Sequence, residues 1–157
     1  MDWSFVCDAK RGLAELLEAG KGFRKDFAPW REHVATLRTE HPLAYNRDSE
    51  AIQQEEVLEE INRLTRGEAI YSTGVGQHQM WAAQYLDFKN PRDWLTSGSM
   101  GTMGFGLPAA IGAQLANPGR TVVDVDGDGS IRMNYGELEM LTTYDIPVKV
   151  LDRKSVV

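Results

Sequence analysis

The chain has 157 residues, enough to bury one good core, and its 42% hydrophobic and 25% charged content is that of an ordinary globular protein, somewhat rich in glycine. A formal net charge of −6, without any Lys/Arg stripe interleaved with aromatics, argues against a nucleic-acid partner. There is no membrane-length apolar run, no signal-type start and only one cysteine, so no internal disulfide; this fits a cytoplasmic protein with no membrane partner.

Residues 4–7 (SFVC) read as a short strand in which Cys7 is a small buried hydrophobe. Residues 10–19 (KRGLAELLEA) read as a helix stopped by Gly20. Arriving with no preceding fold, this pair, within residues 1–22, looks like the end of a domain that begins upstream. Residues 23–48 form a connector with one helix, opened by Pro29 and ended by Pro42, with Trp30, Val34 and Leu37 on one face. His33 and His41 have no second ligand at useful spacing and read as surface histidines.

A second domain spans residues 49–151. Its first helix, 54–65 (QEEVLEEINRLT), is amphipathic, with Val57, Leu58, Ile61 and Leu64 predicted inward. A strand at 69–73 runs into Gly74-Val75-Gly76-Gln77-His78 and a helix through Tyr85. A short strand at 93–96 leads into the glycine loop 98–104 and a small-residue helix at 105–116. The β-branched run Thr121-Val122-Val123-Asp124-Val125 predicts a buried strand that ends in the acidic turn Asp126-Gly127-Asp128-Gly129-Ser130. A helix at 134–144 and a strand at 147–151 complete the pattern.

Strand and helix alternate throughout, so the fold class is α/β, a parallel sheet with crossover helices. Ligands of such sheets bind outside the carboxyl ends of the strands. Three glycine loops leave those ends, at 74–78, 98–104 and 127–130, and together they mark a site more strongly than any one alone.

The acidic stretch admits several readings. Asp124, Asp126 and Asp128 occupy positions 1, 3 and 5 of a calcium loop with Gly129 at 6, but Tyr135 stands where the bidentate Glu belongs and a strand precedes in place of a helix. A plain βα turn with Asp126 or Asp128 capping the next helix is a second reading. In the third, a phosphate sits here through magnesium, since each close like-charge pair would otherwise repel by roughly 4 kcal/mol at an effective dielectric near 20. The amides of Gly129 and Ser130 would then take further oxygens. A dinucleotide site is weaker, because GSMGTMGFG at 98–106 lacks the G-x-G-x-x-G register and its acidic partner.

Three stretches carry a resemblance: STGVGQHQMWAAQ at 72–84, GTMGFGLPAA at 101–110 and DVDGDGS at 124–130. With them, residues 4–151 resemble the acetohydroxyacid (acetolactate) synthases, a family of thiamine-diphosphate enzymes. GDGS alone looks like any thiamine-diphosphate enzyme, whereas VGQHQMWAAQ looks like this family in particular. The resemblance implies an incomplete thiamine-diphosphate-binding domain preceded, at residues 1–22, by the C-terminal end of an FAD-binding middle domain, with Gln77 and His78 at the cofactor's diphosphate and Gly101 and Met103 at its aminopyrimidine. Thr102 lies between those two in the cofactor-binding stretch. Met103 would be the wedge beneath the bent cofactor, Asp128 a magnesium ligand, and Gly129 and Ser130 further diphosphate contacts. FAD is implied as well, with Asp8 and Ala9 on its adenosine side and Gly98 and Ser99 on its ring side, although Cys7 and Ser99 stand where the family more often has glycine.

The implied reaction joins pyruvate, after loss of carbon dioxide, to a second pyruvate or to 2-oxobutanoate, in branched-chain amino acid synthesis. Implied partners are a second copy in a homodimer or larger homo-oligomer and a small regulatory subunit. Other thiamine-diphosphate decarboxylases or carboligases remain open, as does a calcium-binding module. No catalytic residue is assigned within the chain, because the family's activating glutamate would lie upstream of Met1. The family's Asn-Asn pair, which closes the magnesium motif, matches Lys154 and Ser155 here. Residues 152–157 (DRKSVV) depart from the family pattern and read as a non-native tail, since a common sequencing adapter translates in one frame to the same six residues. The expectation is a 157-residue piece inactive by itself.

Overall fold

The computed structural model describes residues 4–153, and the chain divides into two compact units, Met1–Pro42 and Leu43–Val157. Residues 154–157, with the positions matched to the Asn-Asn pair, lie outside the described residues.

The first unit contains α1 (Ala9–Ala19) and α2 (Ala28–Glu40). Asp8 caps α1, its Oδ1 accepting from the Arg11 amide at 3.2 Å, and Gly20 closes it. Pro29 sits in the first turn of α2, as its fixed φ and missing donor favour. Two expectations are corrected here. Residues 4–7 are not a strand, because no described segment runs beside them to complete a ladder. Cys7 is exposed, and so are Trp30, Val34 and Leu37, since neither helix buries a residue.

The second unit runs α3 (Gln54–Thr65), β1 (Ile70–Thr73), α4 (Gln77–Tyr85), β2 (Trp94–Thr96), α5 (Gly106–Ala116), β3 (Val122–Gly127), α6 (Asp128–Ile131), a 3-10 turn (Arg132–Glu137), α7 (Leu138–Thr143) and β4 (Lys149–Arg153). The strands form one sheet in the order β2-β1-β3-β4, every pair parallel, as the alternating pattern predicts. Tyr71 aligns with Val123 and Ser72 with Asp124, so alternate residues of the central strands serve opposite faces. One face packs Tyr71, Val123 and Val125 with Leu58 of α3 and Ala82 of α4. On the other, Ile70 and Val122 meet Ala110 of α5, while Leu107, Ile111 and Ile146 form an adjoining cluster. No helix among the described residues is long and apolar enough to cross a membrane.

Three details differ from the sequence pattern. Leu64, predicted inward, is exposed at the end of α3, where Arg66 turns left-handed at φ 54°. The predicted helix at 134–144 is broken at Asn134, whose φ of −134° and ψ of 33° interrupt the 3-10 turn before α7 begins. The acidic stretch is not all turn: β3 continues through Asp126 to Gly127, and Asp128 opens α6.

Candidate functional site

Parallel strands place the loops after β1, β2 and β3 at a single edge of the sheet. The Ser130 hydroxyl, 2% exposed, joins all three. Its Oγ accepts from the Val75 amide at 3.2 Å and from the Gly104 amide at 3.0 Å. The Asp126 carboxyl stands close by, and Ser130 works against the burial that raises it. The loop after β1 begins at Gly74, where a Cβ would overlap Asp126 Oδ1 and Ser130 Oγ, so only glycine lets the backbone come this close. Ser72 Oγ donates to the Gly106 carbonyl at 2.7 Å and pins the start of α5 to β1.

Between the loops lies a cavity of about 170 Å³. It is lined by Gln77, His78, Met103, Asp128, Gly129 and Ser130, six residues singled out in the sequence, together with Val75, Gly76, Gly127 and Arg153. The larger cavities of about 540 and 560 Å³, beside Arg120 and along α3, contain none of the predicted site residues. Gly101 and Thr102 share the Met103 loop without lining the cavity; the Thr102 amide donates to Ser97 Oγ at 3.0 Å, and Gly101 lies against Val75. The Gly98 amide donates to the Thr96 carbonyl at 3.1 Å and Ser99 is exposed. Asp8 and Ala9 form the start of α1 in the other unit.

Charge is arranged in two layers. At the cavity wall, burial pushes the His78 imidazole below its ordinary value, with the Asp126 charge pulling the other way. Its Nε2 is 3.6 Å from Asp126 Oδ1, too far for a hydrogen bond, and is left without a partner. A Cβ at Gly127 would stand 2.6 Å from His78 Nδ1, so the ring fills the space above that glycine. Beneath, Asp124 and Asp126 are fully buried on the same sheet face. Burial, with the Asp126 charge adding, pushes the Asp124 carboxyl up to about 8, which leaves it neutral at pH 7. Neither oxygen of Asp124 has a partner.

Such a pocket suits an anionic oxygen-rich group. A buried nitrogen with no partner costs about 1–3 kcal/mol, which a ligand oxygen would recover. Asp128 is the cavity's carboxylate, and a phosphate beside it calls for a divalent cation. Among the described residues no three His, Cys, Asp or Glu groups could hold a metal together, so the three-aspartate calcium reading finds no geometric support. A magnesium ion held by Asp128 beside a diphosphate would need fewer protein ligands, and the cavity lining could supply them.

Residues 74–151 match the model of the thiamine pyrophosphate enzyme, C-terminal TPP binding domain. The match opens on the first residue after β1 and takes in all three loops. The chain belongs to the thiamine pyrophosphate enzymes. Over 143 residues it is 51% identical to acetolactate synthase 1, chloroplastic, of Zea mays, an alignment covering 90% of this chain and 22% of that protein. It is 49% identical over 144 residues to acetolactate synthase 1, chloroplastic, of Nicotiana tabacum, with 91% and 22% covered. The figures for acetolactate synthase, chloroplastic, of Arabidopsis thaliana are likewise 49% over 144 residues, with 91% and 22% covered. The chain thus spans about 22% of the length of these relatives.

Several residues that shape this thiamine pyrophosphate enzyme site escaped the sequence reading. Gln79 Nε2 donates to Thr96 Oγ1 at 2.7 Å, and Thr96 Oγ1 lies 2.7 Å from Thr73 Oγ1, tying α4 to the ends of β1 and β2. Arg153 donates to Gln77 Oε1 at 3.0 Å and stacks over Trp81 at 4.8 Å. Asn134 Nδ2 donates to the Gly104 carbonyl at 2.6 Å. The signal for Asn134 was present: asparagine and glycine two residues apart are poor helix formers and mark a break.

Proposed function

We propose that the second unit is the diphosphate-binding part of an acetolactate synthase that uses thiamine diphosphate with magnesium. The observation that carries this reading is the convergence of three glycine loops on one cavity through Ser130. Gln77 and His78 hold diphosphate oxygens, His78 through its unpartnered Nε2. Asp128 holds the metal, and Gly129 and Ser130 close the diphosphate end. Gly101 and Met103 would hold the aminopyrimidine through their backbone, with Thr102 between them, and the Met103 side chain would support the cofactor.

Bound thiamine diphosphate supplies decarboxylation of a 2-oxo acid and transfer of the remaining two-carbon unit to a second one. The chain's own contribution is to fix that group and to keep water from it, which holds the reacting parts in a productive orientation. Substrates on this reading are pyruvate and 2-oxobutanoate. FAD as a further cofactor, a homo-oligomer and a small regulatory subunit belong to the same proposal.

The test uses the full-length protein that carries this segment, assayed with thiamine diphosphate, magnesium and FAD on pyruvate, glyoxylate and aromatic 2-oxo acids. Acetolactate from pyruvate, lost on removing magnesium, is the expected result. Turnover of glyoxylate or aromatic 2-oxo acids alone overturns the acetolactate assignment, and absence of thiamine diphosphate binding overturns the whole reading. The 157-residue chain by itself is expected to form no acetolactate.

A further inference from the structure

We infer that Asn134 is a positioning residue for Met103: by gripping Gly104 it sets the direction in which the Met103 side chain enters the cavity. This rests on the reading of Met103 as the support beneath the bound cofactor.

The two peptides that follow Met103 are each held by a side chain. The first presents the Gly104 N–H to Ser130 Oγ at 3.0 Å. The second presents the Gly104 carbonyl to Asn134 Nδ2 at 2.6 Å. With both planes fixed, the backbone at Gly104 has little freedom to rotate, and the peptide on the C-terminal side of Met103 is held in place with it. Gly104 has a φ of 82°, a conformation that L side chains rarely adopt. A Cβ there would also lie 2.7 Å from Met133 Cβ and 2.8 Å from Asn134 Nδ2, so the grip and the glycine require one another.

Asn134 makes this bond from a backbone that leaves the helical region, between the 3-10 turn and α7. Asn134 does not line the cavity, so it acts on a bound group through the loop it holds, the one that carries Met103. Met103 in turn lies over α6: a Cβ on Gly129 would be 3.3 Å from Met103 Cε.

The experiment compares wild-type full-length enzyme with Asn134→Ala and Asn134→Asp, the second keeping the shape while removing the Nδ2 donor. Three quantities are read: thiamine diphosphate affinity by tryptophan fluorescence, the near-ultraviolet circular dichroism of the bound cofactor, and kcat against KM. A misplaced support beneath the reacting group should lower kcat by about 10²-fold, because small displacements of reacting parts are costly. Affinity and KM should stay within about threefold of wild type, as for an interaction that orients more than it binds. The dichroic band should shrink or shift in both variants. An unchanged band and kcat in Asn134→Asp, with wild-type binding intact, overturns the inference alone. A wild-type protein that binds no thiamine diphosphate overturns the functional reading and the inference with it.

Discussion

Ser130 Oγ accepts the Gly104 amide at 3.0 Å although 26 residues separate them in the chain. With the Val75 amide on the same oxygen at 3.2 Å, one hydroxyl closes the edge of the sheet where three loops meet. This long-range bond lies inside the proposed cofactor site.

Removing that hydroxyl therefore loosens two loops at once. Ser130→Ala leaves the Val75 and Gly104 amides without their acceptor, and a buried group left unsatisfied costs about 1–3 kcal/mol. Hydrogen exchange should show both amides losing protection together, with a matching fall in the denaturation midpoint. Loss at only one of the two would contradict the shared anchor.

Glycines at two positions should respond oppositely to alanine. At Gly74 an added methyl collides with Asp126 Oδ1 and Ser130 Oγ, and overpacking of this kind costs typically about 1–3 kcal/mol. Gly112 is an exposed position within α5 with nothing within 4 Å of its Cβ site. There alanine should stabilise by roughly 0.5–1 kcal/mol through helix propensity. Paired thermal melts of Gly74→Ala and Gly112→Ala test both signs.

At the opposite end of the sheet, Arg120 Nη1 donates to Asp93 Oδ1 at 2.7 Å and Nη2 to the Glu68 carbonyl at 2.7 Å. The Arg120 hydrogen bond, more than any other group, holds the Asp93 carboxyl below its ordinary value. Stability from this pair is present above the unfolded Asp value, about 3.9, and fades as pH falls through the lower folded one. Arg120→Met should flatten the acid limb of the stability curve and cost about 1–3 kcal/mol at pH 7, since Asp93 is almost fully buried. A variant whose acid limb retains its wild-type steepness would exclude this pair as its source.

Local pattern made much of this legible before any coordinates. The 3.6-residue spacing of Val57, Leu58, Ile61 and Leu64 predicts α3 with its bounds intact, and the three glycine loops predict the edge where the cavity lies. What escaped was set by tertiary contact. Period places Asp124 in a strand but could not show that the strand carries on through Asp126, because buried acids look like solvated ones in a hydropathy pattern. Residues 4–7 have strand-like composition but no neighbouring strand to pair with, and pairing is not written locally. The Gln79–Thr96 and Asn134–Gly104 bonds join residues 17 and 30 positions apart, which spacing rules do not reach.

The buried pair beneath the loops makes stability depend on pH in a direction opposite to that of Asp93. Asp124 is fully buried, both of its oxygens lack partners, and its carboxyl is pushed from 3.8 up to about 8. Between those values the folded chain keeps a proton that the unfolded chain releases. Stability then falls as pH rises, by about 1.4 kcal/mol per pH unit for one such group. His78 works against this below its ordinary value of 6.5, because its folded value is depressed and acid favours the unfolded, protonated imidazole. The window from pH 6.5 to 8 therefore isolates the carboxyls. Asp126, also raised by burial, contributes in the same direction. Asp124→Asn cannot ionise, so its denaturation free energy should decline less steeply across that window than the wild type's. Parallel slopes in the two proteins would show that Asp124 is already ionised in the folded chain, and that the space under Gly74 and Gly106 tolerates a charge its geometry says it should not.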